Sequence, residues 1–483
     1  MKRLQSIILL LSLSSLSLPL ACLAQTSEEL PGKYSGLGLP MICITTVNGE
    51  EPTSNKISHP AGCVGSSITD VVPKEARMQM YRADTLWYDS GEYRKDESGI
   101  KIKHRGNTSA VHYSNKPFKL SLQKKADLIE AEEGDTTDRR SKDWVLLNCS
   151  FSIRSHFISQ LGKMIGMEYA PRVEYVNVII NNNYRGIYIL SENVKRDKEC
   201  RIDVDKEEGY IIEMNPYFWN EPFSIKSKLT GFLQWTLKYP KPEDLTEEQE
   251  AYIRNDIERL ETSVKTADYP EVIDVRSVAR WILLHDLLGT YDPSGSNIFV
   301  ARKNREPSSL LRMPTGWDMD SSMKYPDQWS RTHTERGIFL YHLFANQLCQ
   351  DFTEAYLDEW ERVRKAGVME RMAQMSAEFP STAQGRGLKL SYPLHAKRWG
   401  FPVFDVEEMS EEVRNWFTER ASNMERLTSD LADGIQTLPS PPLKGESPTD
   451  AQKVIKNKHL YIIHDGKTYS IDGKEIMKNE VMN

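Results

Sequence analysis

Cysteine is scarce in this 483-residue chain: there are six, with no CxxC pair and no His/Cys cluster at zinc-ligand spacing, so neither a redox pair nor a zinc site is legible. An excess of cations is missing as well. The formal net charge is −7, and because a phosphate backbone is bound by clustered Lys and Arg, nucleic acid is excluded as the main partner. Beyond the N-terminal stretch no apolar run is long enough to span a bilayer. Low-complexity repeats, expected of a structural coat or scaffold, are absent. What is present is an ordinary globular composition, 39% hydrophobic and 27% charged, enough for one large domain or two to three smaller ones.

At the N-terminus, Lys2 and Arg3 precede an apolar run over 7–20, and Cys22-Leu23-Ala24 offers a small residue before Gln25. This is the three-part pattern of a secretory signal. Residues 1–24 are therefore expected to be a signal peptide, and the chain to be exported to the periplasm, cell surface or medium with no transmembrane segment after cleavage. Pro19-Leu20-Ala21 makes a poor lipobox, which favours cleavage after Ala24 over a lipoprotein anchored through Cys22. Cleavage leaves Cys43, Cys63, Cys149, Cys200 and Cys349, an odd set. Cys43 and Cys63 are the pair best placed for a disulfide, although two buried thiols serve as well.

Composition divides the rest. Residues 25–38 read as a linker, and 39–96 as a small N-terminal β-rich module with strands over 39–47 and 76–81, the β pattern running on through 100–103. Residues 97–430 form the α+β core, with a hairpin of 173–180 and 186–190 around Asn181-Asn182-Asn183, a charged amphipathic helix at 247–264 and further helices across 351–378. A Pro-rich linker follows at 431–452. The tail, 453–483, carries a short β-hairpin signature over 459–463 and 468–471, either a sorting signal or a stabilising hairpin.

The most informative stretch spaces Asp292 and Asn297 five residues apart, as D-x-x-x-x-N. That spacing lets one carboxylate meet an attacking hydroxyl while the amide oxygen holds a magnesium ion. Asp318, with Asp320 behind it, supplies the further hard-oxygen ligand such a metal requires. Such residue types also make plain turns, since their side chains bond their own backbone. Context favours the site. Val275, Val278, Ala279, Ile282 and Asp286 fall at helical spacing, with Asp274 as N-cap and Gly289 as stop. Strands at 298–301 and 310–313, joined over 303–307, then return Asp318 close to Asn297. Trp317 and Met319 pack the core around that turn. Upstream, the strand ending in Lys103-His104-Arg105-Gly106-Asn107-Thr108-Ser109 offers backbone N–H groups for phosphates, with Lys116 or Lys119 pairing to them.

The Arg105-Gly106-Asn107-Thr108-Ser109 loop, Lys116-Pro117-Phe118-Lys119, Asp143-Trp144-Val145-Leu146-Leu147, Gly186-Ile187-Tyr188-Ile189-Leu190-Ser191-Glu192, Tyr210-Ile211-Ile212-Glu213, Lys238-Tyr239-Pro240, the Asp292/Asn297 loop and Trp317-Asp318-Met319-Asp320 follow one another in a set order. In that order they resemble the spore coat protein H (CotH) kinase family, over roughly 39–425. The resemblance implies an atypical protein-kinase-like fold that binds ATP with Mg2+ or Mn2+ and phosphorylates proteins on Ser or Thr. It implies Asp292 as the catalytic aspartate, Asn297 and Asp318 on the metal, Lys116 as the phosphate-pairing lysine, and the Arg105-Gly106 loop over the phosphates. Glu192 or Glu213 would orient that lysine. The chain departs from the family pattern around Cys149-Ser150-Phe151-Ser152-Ile153-Arg154-Ser155. Outside the cytoplasm ATP is scarce, so the rival expectation is a catalytically silent cell-surface protein that keeps the fold and holds a glycan or a protein.

Overall fold

The computed structural model describes residues 30–132, 134–149, 153–229, 233–266, 268–290, 297–324 and 350–437, together with tail strands within 452–476. The expected signal peptide and Asp292 lie outside the described residues. The chain divides into two units, 1–432 and 433–483.

In the first unit, a one-turn helix α1 (Leu30–Lys33) precedes strands β1 (Met41–Thr46), β2 (Thr53–Ser58), β3 (Ser66–Val72), β4 (Lys74–Arg82), β5 (Thr85–Asp89) and β6 (Ile100–His104). A short helix α2 (Thr108–His112) leads to β7 (Phe118–Ala126), β8 (Ser141–Asn148), β9 (Val173–Ile180) and β10 (Asn183–Glu192). The sheet runs β1-β9-β10-β8-β7-β6-β4-β5, and β1 also pairs with β4, so seven strands close on themselves like a barrel with β5 attached to β4. β1 lies parallel to β9, with Met41 opposite Asn177, and antiparallel to β4, with Met41 opposite Tyr81. Closure follows the period-2 pattern of these strands: Ile42 and Ile44, Met78 and Met80, Ile100 and Ile102, Leu120 and Leu122, Trp144 and Leu146, Val176 and Val178 share one apolar core. Burying each such aliphatic side chain contributes about 1.5–3 kcal/mol.

Three expectations change here. The strands of 39–96 are not a separate module, because β1 and β4 complete the sheet that β6 to β10 begin. The α+β class holds, but a protein-kinase-like core is not evident in a sheet that closes into a barrel. Nor is there a disulfide between Cys43 and Cys63: both are free thiols, and burial on β1 pushes the Cys43 thiol up to about 12.

After helix α3 (Arg154–Met164), which precedes β9 in the chain, a second, four-stranded sheet of order β12-β13-β11-β14 forms from β11 (Tyr210–Asn215), β12 (Ser224–Lys226), β13 (Gln234–Tyr239) and β14 (Ile298–Arg302). Helices α4 (Glu247–Thr266), α5 (Val275–Leu288), α6 (Gln350–Lys365), α7 (Val368–Glu378), α8 (Ala383–Trp399) and α9 (Val406–Thr437) complete the unit. The larger core joins α3, α5 to α9 and the second sheet to the outward faces of β9 and β10, through Tyr175, Ile187 and Ile189. α8 is held on the barrel by backbone contacts: Ile187 N donates to His395 Nδ1 at 2.9 Å, and Trp399 Nε1 donates to the Arg185 carbonyl at 3.0 Å. That approach requires Gly186 (φ 93°), whose Cβ would lie 2.5 Å from His395 Nδ1.

α5 has the ends its sequence predicts. The Asp274 carboxylate accepts from Arg276 N and Ser277 N, and Gly289 closes the helix in the left-handed region. In the second unit the tail is more than a hairpin: β15 (Gln452–Lys456), β16 (His459–His464), β17 (Lys467–Tyr469) and β18 (Glu475–Ile476) form a four-stranded antiparallel meander. Among the described residues no helix is long and apolar enough to cross a membrane.

Candidate functional site

Where β6 leaves the barrel, Arg105 N donates to the Pro117 carbonyl at 3.1 Å and ties the loop to the start of β7. Gly106 then takes φ 95°, a conformation that L side chains rarely adopt, and a Cβ there would sit 2.8 Å from Ser109 Oγ. Two bonds brace the loop from outside. Ser67 Oγ on β3 donates to Asn107 Oδ1 at 2.7 Å, and the Thr108 hydroxyl meets the Tyr217 hydroxyl, just beyond β11, at 2.6 Å. The Arg105 guanidinium is held below its ordinary pKa by burial, against the opposing pull of Asp318 and Glu213. Those two carboxylates come from separate elements, Glu213 on β11 and Asp318 beyond β14, and both act on the Arg105 charge.

Glu213 lies on β11, 8% exposed, and β13 runs antiparallel beside it with Thr236 as its register partner. Lys238, two residues along β13, places Nζ 2.8 Å from Glu213 Oε2 and 3.0 Å from Glu221 Oε1. Burial raises the Glu213 carboxyl pKa, with Lys238 opposing. Burial also works against the Lys238 ammonium, but Glu213 and Glu221 together outweigh it and hold its pKa above the usual value. The lysine is thus charged and fixed by two carboxylates.

Asn297 precedes β14, whose Phe299 is the register partner of Glu213. The chain then turns back, Ala301 and Arg312 exchanging backbone bonds of 2.9 Å, and reaches Asp318. Asn297 and Asp318 both occupy the left-handed region, at φ 60° and 55°, which Asn and Asp tolerate better than other side-chain-bearing residues. Asp318 is exposed while Met319 beside it is buried, and Asp320 is exposed two residues on. The C-terminal end of α5 is anchored. Tyr356 Oη donates to Asp286 Oδ2 at 2.5 Å, Arg420 Nε to the Asp286 carbonyl at 2.7 Å, and Trp416 Nε1 to the Leu287 carbonyl at 2.9 Å.

The sequence-derived set is only partly brought together. Arg105, Glu213 and Asp318 are electrostatic neighbours. Lys116 is engaged elsewhere, donating to the Ala110 carbonyl of α2. Lys119 pairs with Asp143 at 3.2 Å, a carboxylate it shares with Lys195 at 2.6 Å. Glu192 is fully buried between Arg172 at 3.0 Å and Arg201 at 3.4 Å, so Glu213 rather than Glu192 meets a lysine. That lysine, Lys238, and Glu221 were missed as site residues, although Lys238-Tyr239-Pro240 stood out as a motif.

Among the described residues no group of three or more His, Cys, Asp or Glu is placed to hold a metal ion. An amide and an exposed carboxylate nonetheless fit magnesium, which keeps several waters and takes its remaining ligands from substrate phosphates. Asn297 and Asp318 would hold it, and it would supply charge neutralisation at the phosphate oxygens.

The family described as CotH kinase protein matches residues 102–424, most of the chain. The chain belongs to the CotH kinase family. ATP and a divalent metal are what a kinase family implies in general. A search of curated proteins finds no match.

Proposed function

We propose that the chain is an exported protein kinase that transfers the γ-phosphate of ATP to Ser or Thr of a protein substrate, in the cleft between the Arg105-Gly106 loop and the second sheet. The observation that carries this reading is the Lys238 ammonium, held 2.8 Å from Glu213 and 3.0 Å from Glu221 on the second sheet, with the Arg105 guanidinium of the glycine-bearing loop feeling the charges of Glu213 and Asp318. It makes one charge network of a glycine-bearing loop, a fixed lysine and a metal-type acid, the parts a phosphoryl-transfer site requires.

In this reading Gly106 and its neighbours present backbone N–H groups to the phosphates, while Arg105 and Lys238 carry positive charge to them. Asp292 orients the acceptor hydroxyl and takes its proton as the hydroxyl oxygen bonds to the γ-phosphorus. The bond from that phosphorus to the β–γ bridging oxygen breaks, and ADP leaves. Lys119, with Asp143, borders the site rather than pairing to the phosphates.

The test is calorimetric titration of the purified protein with ATP and magnesium or manganese, followed by transfer of labelled γ-phosphate to itself and to a Ser/Thr-rich protein mixture. Metal-dependent binding with transfer supports the proposal. Binding or transfer absent with either metal and any nucleotide overturns it in favour of a silent cell-surface binding protein.

A further inference from the structure

A groove of about 430 Å³ opens between the end of α1, the β9–β10 turn and the C-terminal part of α8, lined among others by Lys33, Tyr34, Asn182, Tyr184, Lys397 and Arg398. It shares no residue with the cleft. Its volume falls within the range of small-molecule sites, about 300–1,000 Å³. Three cations line it and no Asp or Glu does, in a chain whose net charge is −7. None of the three is held in an ion pair among the described residues. Lys397 and Arg398 in the last turn of α8 have an ordinary explanation, since cations favour the negative end of a helix. Lys33 likewise closes the one-turn α1, and its ammonium lies 5.5 Å from the centroid of the Tyr34 ring. It arrives from a segment more than three hundred residues away in sequence and adds a third like charge.

The walls are fixed before any ligand arrives. Tyr34 stacks on Tyr184 with centroids 5.4 Å apart and rings 24° from parallel, which pins the Lys33 segment to the hairpin. Tyr184 Oη donates to Asn177 Oδ1 at 2.7 Å, and Asn177 Nδ2 donates to Ser391 Oγ on α8 at 3.0 Å. At the turn, Asn181 Nδ2 donates to the Gly49 carbonyl at 2.9 Å, leaving Asn182 at the apex with φ 63°. The neighbouring Arg185 is already occupied by Glu51.

We propose that this groove binds a phosphate or sulfate ester carried on a sugar-sized body. Lys33 and Lys397 meet the oxyanion as point charges, Arg398 can fork onto two of its oxygens, and the Asn182 amide serves a hydroxyl. A lone oxyanion would leave most of the volume unfilled, and a neutral sugar would leave three cations without a counter-charge.

The experiment is calorimetric titration of the full chain in metal-free buffer with glucose 6-phosphate, glucosamine 6-sulfate and glucose, and a sedimentation assay with phosphatidylglycerol vesicles. The variants are Lys33→Gln and the double Lys397→Gln/Arg398→Gln, exposed positions whose change leaves the fold and the cleft's affinity for ATP with magnesium as in the parent. The parent binds the esters and not glucose, and each variant loses about tenfold in affinity, as expected for losing a charged hydrogen bond. Binding to vesicles alone, lost in the same variants, assigns the ester to a lipid headgroup and keeps the proposal. Glucose binding as tightly as its phosphate, variants equal to the parent, or no binding of any ester or vesicle overturns it.

Discussion

Replacing Lys238 by Met removes the charge from the Glu213–Lys238–Glu221 cluster while keeping most of the apolar stem. Glu213 is 8% exposed and its ammonium partner lies at 2.8 Å, so the carboxylate is left buried without its counter-charge. Breaking a fully buried pair in this way costs about 3–5 kcal/mol. The Lys238 side chain keeps 26% of its exposure, so water recovers part of the loss and about 2 kcal/mol is expected, against under about 1 kcal/mol for a surface pair. The loss must also depend on pH. Burial sets the folded pKa of Glu213 above its unfolded value, so the cost of ionising it is absent below the unfolded pKa and fully felt above the folded one. Removing Lys238 lifts the folded pKa further. The deficit of Lys238→Met against the parent is therefore larger at pH 8 than at pH 5, as read from urea denaturation followed by tryptophan fluorescence. An equal deficit at both pH values, or none at either, refutes the assignment of a charged, buried pair.

Asp318→Asn should lower the affinity for ATP with magnesium about tenfold or more, since a magnesium site depends on anionic oxygen, while an exposed swap moves stability by no more than about 0.5 kcal/mol; calorimetry and thermal melting read both. Asp292→Ala should cut phosphate transfer by about 10²–10⁴ and leave ATP affinity at the parent value, because its task belongs to the transition state; equal transfer by variant and parent makes Asp292 a turn residue. Asp274→Ala should cost about 1 kcal/mol in urea denaturation, through loss of the two backbone bonds it accepts at the start of α5. Intact-mass measurement of the envelope protein should give a mature N-terminus at Gln25, and a mass for diacylated Cys22 would show a lipoprotein instead.

What the sequence makes legible here is what neighbouring residues decide. Asp274 and Gly289 bound α5 because capping is a bond between residues two or three apart and a single left-handed dihedral. Asn181 and Asn182, at φ 49° and 63°, mark the β9–β10 turn for the same reason. Barrel closure is not local. The alternation of Ile42 and Ile44 says that one face of β1 is buried, but not that its edges are taken by β4 and, in parallel, by β9 more than a hundred residues on. Hence 39–96 reads as its own module. The resemblance implies Lys116 as the phosphate-pairing lysine, yet it turns to the Ala110 carbonyl. Lys238 reaches Glu213 only through the β11–β13 pairing. Glu192 and Glu213 look alike as buried strand glutamates, and only their partners, two arginines for one and a lysine for the other, tell them apart.

The charge of the cleft decides what can enter it. With every group ionised, Arg105 and Lys238 face Glu213, Glu221 and Asp318, two cations against three carboxylates. Such a set of charges, with Glu213 buried, repels a triphosphate by itself. On the proposed reading, Asn297 and Asp318 would hold a divalent cation whose two charges would reverse that sign, and Arg105 and Lys238 would add their charge toward phosphate oxygens. On that reading Asp318 would act in opposite directions: with metal it would hold the ion that attracts the nucleotide, and without metal it would be one of the charges that keep the nucleotide out. Asp318→Asn should therefore weaken ATP binding in magnesium and strengthen it, if anything, in chelator, whereas a residue that touched the nucleotide directly would lose affinity under both conditions.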